Sequence, residues 1–248
     1  MTFSLEVHHL CKDYGSKEGS VKALRHVSFT ATSGEFLSLV GKSGSGKTTL
    51  LRLLGGLEKP SSGEILLRGK STNSPRIGMV FQEPRLLPWK TVGENLRMAM
   101  LHLPRGPQEE LLAKTLEQIH MTPWRHVYPS QLSGGMAQRV ALGRALCYEP
   151  DLILMDEPLS ALDYFTRQSL QDTIEELYLE EGKTVLFVTH HVEEALRMGG
   201  RVLVLREGSL EGDLPVTYPY PRKGRSLSLE PLRQNILHLL QPPRVCSA

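Results

Sequence analysis

The 248-residue chain has little of several features that would assign it to a specialised class. Its three cysteines, Cys11, Cys147 and Cys246, are far apart and odd in number, so they make neither a disulfide framework nor a four-cysteine metal site. Three such cysteines fit a reducing compartment. The formal net charge of +2 is close to neutral, and therefore gives no reason to expect nucleic acid as a partner.

The sequence also lacks a long apolar run. Residues 1–14 show no basic start followed by an apolar stretch, so we expect no secretory signal. The longest apolar blocks, such as Leu152–Met155 and Val185–Val188, have the length of strands and fall far short of the roughly 18 residues that cross a bilayer. We therefore expect any link to a membrane to run through a partner protein.

What is present is typical of a soluble α/β protein. Apolar residues make up 40% and charged residues 23% of the chain, which is enough to bury a real core. Val27–Thr30 and Phe36–Val40 are predicted strands, with a turn at Ser33-Gly34 between them. A glycine-rich segment follows Phe36–Val40 and leads into a helical stretch, an order that starts an α/β unit.

Helical patterns fill the middle of the chain, and the alternation of strands and helices then returns. Three helices are predicted there: one that starts at the capping box Thr91-Val-Gly-Glu94, one at Pro107–Met121, and one from Ser133 to before Pro150. Further along, the pattern predicts strands at Leu152–Met155, Val185–Thr189 and Arg201–Leu205, and helices at Ala161–Glu181, closed by Gly182, and at His191–Met198. Alternation of this kind predicts a parallel sheet with helical cover.

These patterns predict two regions. Residues 1–212 are expected to form the main domain, with a helical subdomain inserted at about 91–148. Residues 213–248 are expected to form a linker, over 213–225, and an amphipathic helix with apolar residues at helical spacing. That helix either docks on its own domain or makes a regulatory or dimer contact. The apolar residues concerned are Leu229, Leu232, Ile236, Leu239 and Leu240.

The glycine-rich segment from Gly41 to Thr48 matches the phosphate-loop pattern G-x-x-x-x-G-K-[ST]. Glycines let the loop turn its N–H groups around phosphate oxygens, and the following helix directs its positive end at the same anion. We expect Lys47 to neutralise phosphate charge and Thr48 to ligate Mg²⁺. The alternative is a flexible glycine turn. The candidate nucleotide-binding residues here are Gly41, Lys42, Ser43, Gly44, Ser45, Gly46, Lys47, Thr48 and Thr49.

Two carboxylates, Asp156 and Glu157, follow the apolar strand Leu152–Met155, at the strand end where open α/β sheets bind ligands. Phosphoryl transfer depends on positioning and charge neutralisation, so we expect Asp156 to hold Mg²⁺ and Glu157 to orient and deprotonate the attacking water. A solvated pair at a strand end is the alternative. Two like charges beside bound ATP require the metal.

The segment from Gln131 to Val140 carries the most specific motif. Leu132-Ser-Gly-Gly-Met136 and the following Gln-Arg closely resemble the ABC signature, Leu-Ser-Gly-Gly-Gln, with methionine in place of the usual glutamine. Physically it is a second anion site, because Ser133 can cap a helix whose N-terminus lies behind two glycines, Gly134 and Gly135. Methionine leaves these donors in place, so we expect ATPase activity to survive. One small chain hardly needs two such sites for one ATP, whereas two chains arranged head to tail can use both.

The resemblance to ABC ATPases spans about residues 5–210 and implies an α/β P-loop NTPase core with a mainly parallel sheet, an N-terminal antiparallel β-subdomain and an inserted helical subdomain. It implies that Tyr14 stacks on adenine, that Gln82 reaches Mg²⁺ and senses a transmembrane partner, and that Asp163 lies in the segment touching the opposing subunit's site. His190 would contact the γ-phosphate and position the water, so the implied catalytic residues are Glu157, His190 and Lys47. Each residue also has a purely structural alternative. Tyr14 and His190 could be core residues, Gln82 could be a surface residue, and Asp163 could only cap a helix.

Two further segments resemble one importer subfamily. Val80–Trp89, followed by Lys90-Thr-Val, and Tyr128–Arg139 are similar to the nitrate, sulfonate and taurine importers, above all to aliphatic-sulfonate importers. The resemblance implies a homodimer that binds ATP and Mg²⁺ at the cytoplasmic face of the inner membrane, with separate permease subunits and, indirectly, an extracytoplasmic solute-binding protein. Leu86, Leu87 and Trp89 would then form an apolar groove for the permease, or else simply pack within the subdomain.

Other functions stay open at this stage. A soluble ABC ATPase that acts on a macromolecule is the main alternative, although the roughly 50 positions between Gln82 and Leu132 leave no room for a long coiled-coil arm. A simple phosphoryl-transfer kinase leaves the loop Ser133–Gly135 unexplained. The transported solute is beyond the reach of the sequence, since the chain that binds ATP does not meet the cargo.

Overall fold

The computed structural model describes residues 4–16, 19–69, 75–223 and 226–241. The chain forms two compact units. Of the described residues, those within 68–185 form the first unit, and those within 4–67 and 186–241 form the second. In the described residues, no helix is both long enough and apolar enough to span a membrane.

Strands and helices follow one another along the described residues in the alternation that the sequence predicts. The strands are β1 Ser4–Ser16, β2 Gly19–Thr32, β3 Phe36–Val40, β4 Ser62–Arg68, β5 Ile77–Val80, β6 Leu152–Asp156, β7 Thr184–Thr189, β8 Arg201–Arg206 and β9 Ser209–Pro215. The α-helices are α1 Lys47–Leu54, α2 Val92–Arg97, α3 Arg105–Gln118, α4 Gly134–Cys147, α5 Tyr164–Glu181, α6 Val192–Met198 and α7 Glu230–Leu239.

The second unit combines an antiparallel sheet with part of a parallel one. β1 lies between β2 and β4, and it pairs antiparallel with β2. In the other sheet, β3 lies between β7 and β8, and it runs parallel to β8. β3 is the strand predicted at Phe36–Val40. Every residue of it is buried, Ser38 included, as is typical of a parallel strand covered on both faces.

The first unit contains the parallel neighbours β5 and β6 and the helices α2 to α5. α2, α3 and α4 form the predicted helical insertion between these two strands, and they share a buried interior that includes Leu96, Leu112 and Val140. α2 begins at the predicted capping box: Thr91 accepts a hydrogen bond from the N–H of Glu94, and the Glu94 carboxylate accepts one from the N–H of Thr91. The predicted fold class is confirmed, with its parallel sheet, antiparallel β-subdomain and helical insertion.

Two predicted helix boundaries were wrong. The helix expected from Ala161 begins at Tyr164, because the Asp163 carboxylate accepts hydrogen bonds from the N–H groups of Phe165 and Thr166 and so sets the start of α5. The helix expected at Pro107–Met121 spans Arg105–Gln118 instead. It ends early because His120 adopts a left-handed conformation and the N–H of Met121 reaches back to the carbonyl of Leu116.

The predicted linker at 213–225 was also wrong over its first residues. Residues 213–215 end β9, which pairs antiparallel with β8 across the two-residue turn Glu207-Gly208. Farther along, Arg222 is buried and its guanidinium donates hydrogen bonds to the carbonyls of Leu196, Gly199 and Tyr218. The described part of this segment is therefore fastened to the end of α6. The division of the chain at residues 212 and 213 stays a prediction.

The C-terminal helix α7 docks on its own unit, which is one of the two predicted arrangements. Leu229, Ile236 and Leu240 are buried in a cluster with side chains of α6 and β8, including Leu196 and Val204. Leu232 and Leu239 pack against the same cluster. At its rim, the guanidinium of Arg233 donates to the carboxylate of Glu193 on α6, at 2.8 Å.

Candidate functional site

The loop from Gly41 to Gly46 lies between β3 and α1 and has the close backbone packing expected of a phosphate loop. A Cβ atom at Gly41 would lie 2.4 Å from the Ser45 hydroxyl oxygen and 2.5 Å from the Leu205 carbonyl oxygen, so only glycine fits there. The turn between β8 and β9 supports the loop from outside, because the N–H of Gly208 donates to the carbonyl of Ser45 at 3.0 Å.

Lys47 brings a buried positive charge to this loop. Its side chain is only 5% exposed, and its ammonium group donates to the carbonyls of Gly41 and Lys42 at 2.9 and 3.0 Å. α1 begins at Lys47, its N-cap Gly46 supplies no side-chain cap, and its first turn holds no acidic residue. The N–H groups of that turn and the ammonium of Lys47 together suit a phosphate ligand.

Tyr14 and His190 are the other candidate residues of the second unit. Tyr14 lies on β1, is 38% exposed, and donates its hydroxyl to the carboxylate of Glu58 at 2.5 Å. Partial burial, followed by this hydrogen bond, raises the pKa of Tyr14 above its ordinary value. His190 is exposed at the end of β7, where its ring centroid lies 4.0 Å from that of His191. The alternative considered for Tyr14, a buried core residue, does not fit this exposure.

Asp156 ends β6 in the first unit and Glu157 follows it, as the sequence predicts. Both are half-buried, and Glu157 has a φ of 44°, which is rare for a residue with a side chain. The N–H and the hydroxyl of Ser160 both donate to the Glu157 carbonyl, at 3.2 and 3.0 Å, and hold this turn. A strained conformation secured by its surroundings is a frequent feature of functional sites.

The Ser133–Gly135 loop begins α4 as a second helix N-terminus in the first unit. Ser133 is the N-cap and accepts a hydrogen bond from the N–H of Met136, and the first turn of α4 has no acidic residue. A Cβ atom at Gly135 would lie 2.1 Å from the Thr166 methyl carbon, so glycine permits α4 to start against the first turn of α5. The structure thus brings the signature loop close to the segment that carries Asp163.

Asp163 itself caps α5. Hydrogen bonds from Thr166, through its side chain and then its N–H, and from the N–H of Phe165 lower the pKa of its carboxyl group, which keeps it ionised. The capping role considered for this residue is confirmed. Its contact with an opposing subunit stays a prediction.

Gln82 is exposed in the loop that follows β5, and the structure shows what holds that loop. Gln138 of α4 donates to the Phe81 carbonyl at 2.9 Å, and Arg144 of the same helix donates to the carbonyls of Pro84 and Arg85. Asn95, fully buried on α2, both donates to the Leu87 carbonyl and accepts from its N–H. Sequence reasoning missed these anchors, because a glutamine, an arginine and an asparagine on predicted helices carry no local signal of a partner many residues away.

Trp89 lies near the end of this loop with 70% of its surface exposed, whereas Leu86 and Leu87 are half-buried. The alternative that Trp89 simply packs within the helical subdomain is therefore wrong. In the described residues, no group of three or more histidine, cysteine, aspartate or glutamate side chains forms a metal-binding cluster.

The candidate residues divide between the two units. The second unit holds Tyr14, the phosphate loop 41–49 and His190, and the first holds Gln82, the loop Ser133–Gly135, the pair Asp156 and Glu157, and Asp163. Each unit therefore presents one helix N-terminus suited to an anion, together with polar side chains of its own.

The chain is similar to known proteins over most of its length. A family model described as "ABC transporter" matches residues 24–160. The aliphatic sulfonates import ATP-binding protein SsuB 2 of Pseudomonas fluorescens strain Pf-5 is 42% identical over 237 residues, which cover 94% of this chain and 85% of that protein. An uncharacterised ABC transporter ATP-binding protein of Methanocaldococcus jannaschii is 38% identical over 247 residues, which cover 97% and 92% of the two chains.

A solved structure extends the similarity to the fold. The dimeric ATP-binding cassette in a post-hydrolysis state, bound to ADP and Pi, is 31% identical, with a TM-score of 0.76. The match covers 87% of this chain and all of that one.

Proposed function

Because this chain belongs to the ABC transporter family as an ATP-binding cassette, we propose that it is the ATP-hydrolysing subunit of an importer. It would work as a homodimer beneath separate permease subunits, peripherally at the cytoplasmic face of the inner membrane. The cargo would be a small anionic solute such as a sulfonate, nitrate or taurine, delivered by an extracytoplasmic binding protein. Relatives named as aliphatic sulfonates import proteins support this reading.

The observation that carries the proposal is the presence of two helix N-termini suited to phosphate. α1 begins behind the phosphate loop with Lys47 across it, and α4 begins at Ser133 behind two glycines. Each nucleotide would be bound by the phosphate loop of one chain and by the Ser133–Gly135 loop of the other. A similar ATP-binding cassette of known structure is a dimer bound to ADP and Pi, which supports this arrangement.

The remaining candidate residues receive roles in hydrolysis. Thr48, Gln82 and Asp156 offer a hydroxyl, an amide and a carboxylate oxygen, the hard donors that Mg²⁺ prefers, and would hold the ion that neutralises phosphate charge. Glu157 would accept a proton from the attacking water at its carboxylate. His190 would orient that water and contact the γ-phosphate, and Asp163 would touch the partner's nucleotide.

One experiment tests the homodimer. The Glu157→Gln variant should bind MgATP, stop turning over and run as a dimer in size-exclusion chromatography with light scattering, while Glu180→Gln, an exposed change on α5, should behave as the parent. A Glu157→Gln chain that stays monomeric in saturating MgATP, or that turns over at the parent rate, would contradict the proposal.

A second experiment tests the importer role. The tagged chain should be recovered from detergent-solubilised membranes together with a protein of several membrane spans. Recovery with ribosomes or nucleic acid, and ATPase activity stimulated by them, would instead identify a soluble ABC ATPase that acts on a macromolecule.

A further inference from the structure

The segment after α1 holds the strand that carries Tyr14. The chain turns back directly after the helix, where the N–H groups of Leu57 and Glu58 donate to the carbonyl of Arg52 at 2.8 and 3.3 Å. Ser61 then donates its N–H to the Cys11 carbonyl, and its hydroxyl accepts from the N–H of Asp13, both at 2.9 Å. β1 is thus fastened to the end of α1 immediately before Tyr14.

The hydroxyl of Tyr14 is held by Glu58. It donates to the Glu58 carboxylate at 2.5 Å, while the side chain of Thr49, in the first turn of α1, offsets part of the rise in the pKa of Tyr14. Thr49 stands two residues after Lys47, which crosses the phosphate loop. The Tyr14 hydroxyl is therefore anchored to Glu58, just beyond the end of the helix that begins at the phosphate loop.

Glu58 is itself fixed by two cations. Arg52 donates to one carboxylate oxygen at 2.7 Å, and the Lys12 ammonium lies 3.5 Å from the other. Only 16% of the Glu58 side chain is exposed, and the hydrogen bond from Tyr14 is foremost among the contacts that lower the pKa of its carboxyl group. Glu58 thus presents a carboxylate in a single orientation, which suits an acceptor for a phenol.

The ring of Tyr14 stays open to solvent although its hydroxyl is anchored. The side chain is 38% exposed, and the Lys12 ammonium lies 5.0 Å from the ring centroid. A network built only for stability would have no need of an exposed aromatic surface. A ring held at its tip, with exposed surface remaining, has the properties of a stacking platform whose orientation is set before a ligand binds.

We propose that Glu58 is a positioning residue for ATP binding, which fixes the ring of Tyr14 at one height and angle relative to the phosphate loop. The inference rests on the proposed role of Tyr14 as the adenine-stacking residue. Since the ring is already ordered, base binding does not have to immobilise it. Loss of the anchor should weaken binding of the base, and leave both phosphate binding and the chemical step intact.

The test compares a ligand with a base and a ligand without one. Glu58→Ala, Tyr14→Phe, the double variant and Tyr14→Ala are prepared in the full chain, with Glu64→Ala as the control because Glu64 is an exposed glutamate on β4. For each variant, KM and kcat are measured with MgATP, and Ki with magnesium tripolyphosphate, which carries the phosphates alone.

Loss of one hydrogen bond corresponds to about a three- to tenfold effect. We therefore expect the KM for ATP to rise about three- to tenfold in Glu58→Ala and in Tyr14→Phe, without further increase in the double variant, because both changes remove the same contact. The kcat and the Ki for tripolyphosphate should match those of Glu64→Ala, and an unchanged Ki also shows that the loop has folded.

The outcomes distinguish the positioning role of Glu58 from the stacking role of Tyr14 on which it rests. If Tyr14→Ala raises KM while Glu58→Ala does not, Glu58 has no positioning role and Tyr14 keeps its own. If Glu58→Ala weakens tripolyphosphate as much as ATP, it acts on the fold of the loop, which also overturns the inference. If Tyr14→Ala itself leaves KM unchanged, the stacking role fails, and the inference fails with it.

Discussion

The hydroxyl of Ser133 accepts a hydrogen bond from the backbone N–H of Met136 at 3.3 Å. Residue 136, where the ABC signature usually has glutamine, therefore contributes to the cap through its main chain. Replacement of that glutamine by methionine leaves the helix start as it was, since any residue except proline supplies the same N–H. This geometry agrees with the expectation that the departure from the signature does not abolish ATPase activity.

Two variants distinguish the helix-capping role of Ser133 from its proposed contact with phosphate, because they differ in charge. Aspartate and asparagine both cap helices well, but only aspartate adds a negative charge where a phosphate would lie. In the Glu157→Gln background, we expect Ser133→Asp to lower ATP-dependent dimer formation at least tenfold, whereas Ser133→Asn should retain most of it. Light scattering measures the dimer, and both variants should stay within about 1 kcal/mol of the parent in urea unfolding. Equal dimer formation in the two variants would show that Ser133 only caps α4.

Trp89 offers a test of the permease contact. Its side chain is 70% exposed on a loop that Asn95 and Arg144 hold in place, so Trp89→Ala should leave the basal ATPase within about twofold of the parent. Large aromatic side chains often dominate binding energy, so recovery with the permease should fall about tenfold or more. Trp124→Ala, a change of a partly exposed tryptophan elsewhere in the first unit, is the control. Equal loss of basal and coupled activity would make Trp89 structural.

The docking of α7 predicts a stability effect. Ile236 is fully buried against α6 and β8, so Ile236→Ala should lower the free energy of unfolding by about 2–4 kcal/mol, because it leaves a cavity. The exposed neighbour Asn235 serves as control, with Asn235→Ala expected within about 0.5 kcal/mol of the parent. Deletion of residues 226–248 should lower the melting temperature further. A deletion that changes activity or assembly alone would favour a regulatory role for the tail instead.

Cys147 should be unreactive in the folded chain. Burial raises the pKa of its thiol from about 9 to about 11, and its Sγ lies 3.5 Å from the Thr115 hydroxyl. At pH 8 only about one molecule in a thousand carries the reactive thiolate. Mass spectrometry after iodoacetamide treatment should therefore find Cys147 labelled in urea and almost unlabelled without it, while the half-exposed Cys11 reacts in both. Equal labelling rates at Cys11 and Cys147 in the folded chain would contradict this burial.

The same shift has a consequence for stability. The folded pKa of Cys147 lies above the unfolded value, so the neutral thiol is favoured in the folded state. Its contribution is complete below about pH 9 and decreases as the pH rises toward about 11, because the unfolded chain loses its proton first. Cys147→Ser should remove this part of the decrease in stability at alkaline pH. The free energy of unfolding in urea, measured at pH 8 and at pH 10, tests this.

Local signals predicted a large part of the fold. The capping box at Thr91 and the cap at Ser133 lie within three residues of their partners in the sequence. The apolar run Leu152–Met155 predicted the buried strand β6, and β3 was predicted as a strand. The glycine pattern of the phosphate loop was equally predictive, because each glycine either makes a close backbone contact or adopts a positive φ.

The features that the sequence did not predict depend on tertiary contacts. The edge strand β9 was not predicted, and its last residues, 213–215, were assigned to a linker because Pro215 and further prolines follow one another there. Pairing with β8 and the ion pair between Arg201 and Asp213 hold these residues in the sheet. Glu58 was missed for a similar reason. From sequence, a glutamate after a helix is expected to be solvated. Glu58 reaches Tyr14 only because the chain turns back toward β1.

The support of the phosphate loop by Gly208 bears on how quickly nucleotide can be captured. The N–H of Gly208 holds the Ser45 carbonyl and its own carbonyl accepts from the N–H of Arg25 at 2.8 Å, so the curvature of the loop is set by main-chain bonds from a distant hairpin. A receptor already shaped before its ligand arrives needs no slow search among conformations. Encounter frequency and ionic attraction then govern the association rate of ATP, which should decline with added salt and show no lag.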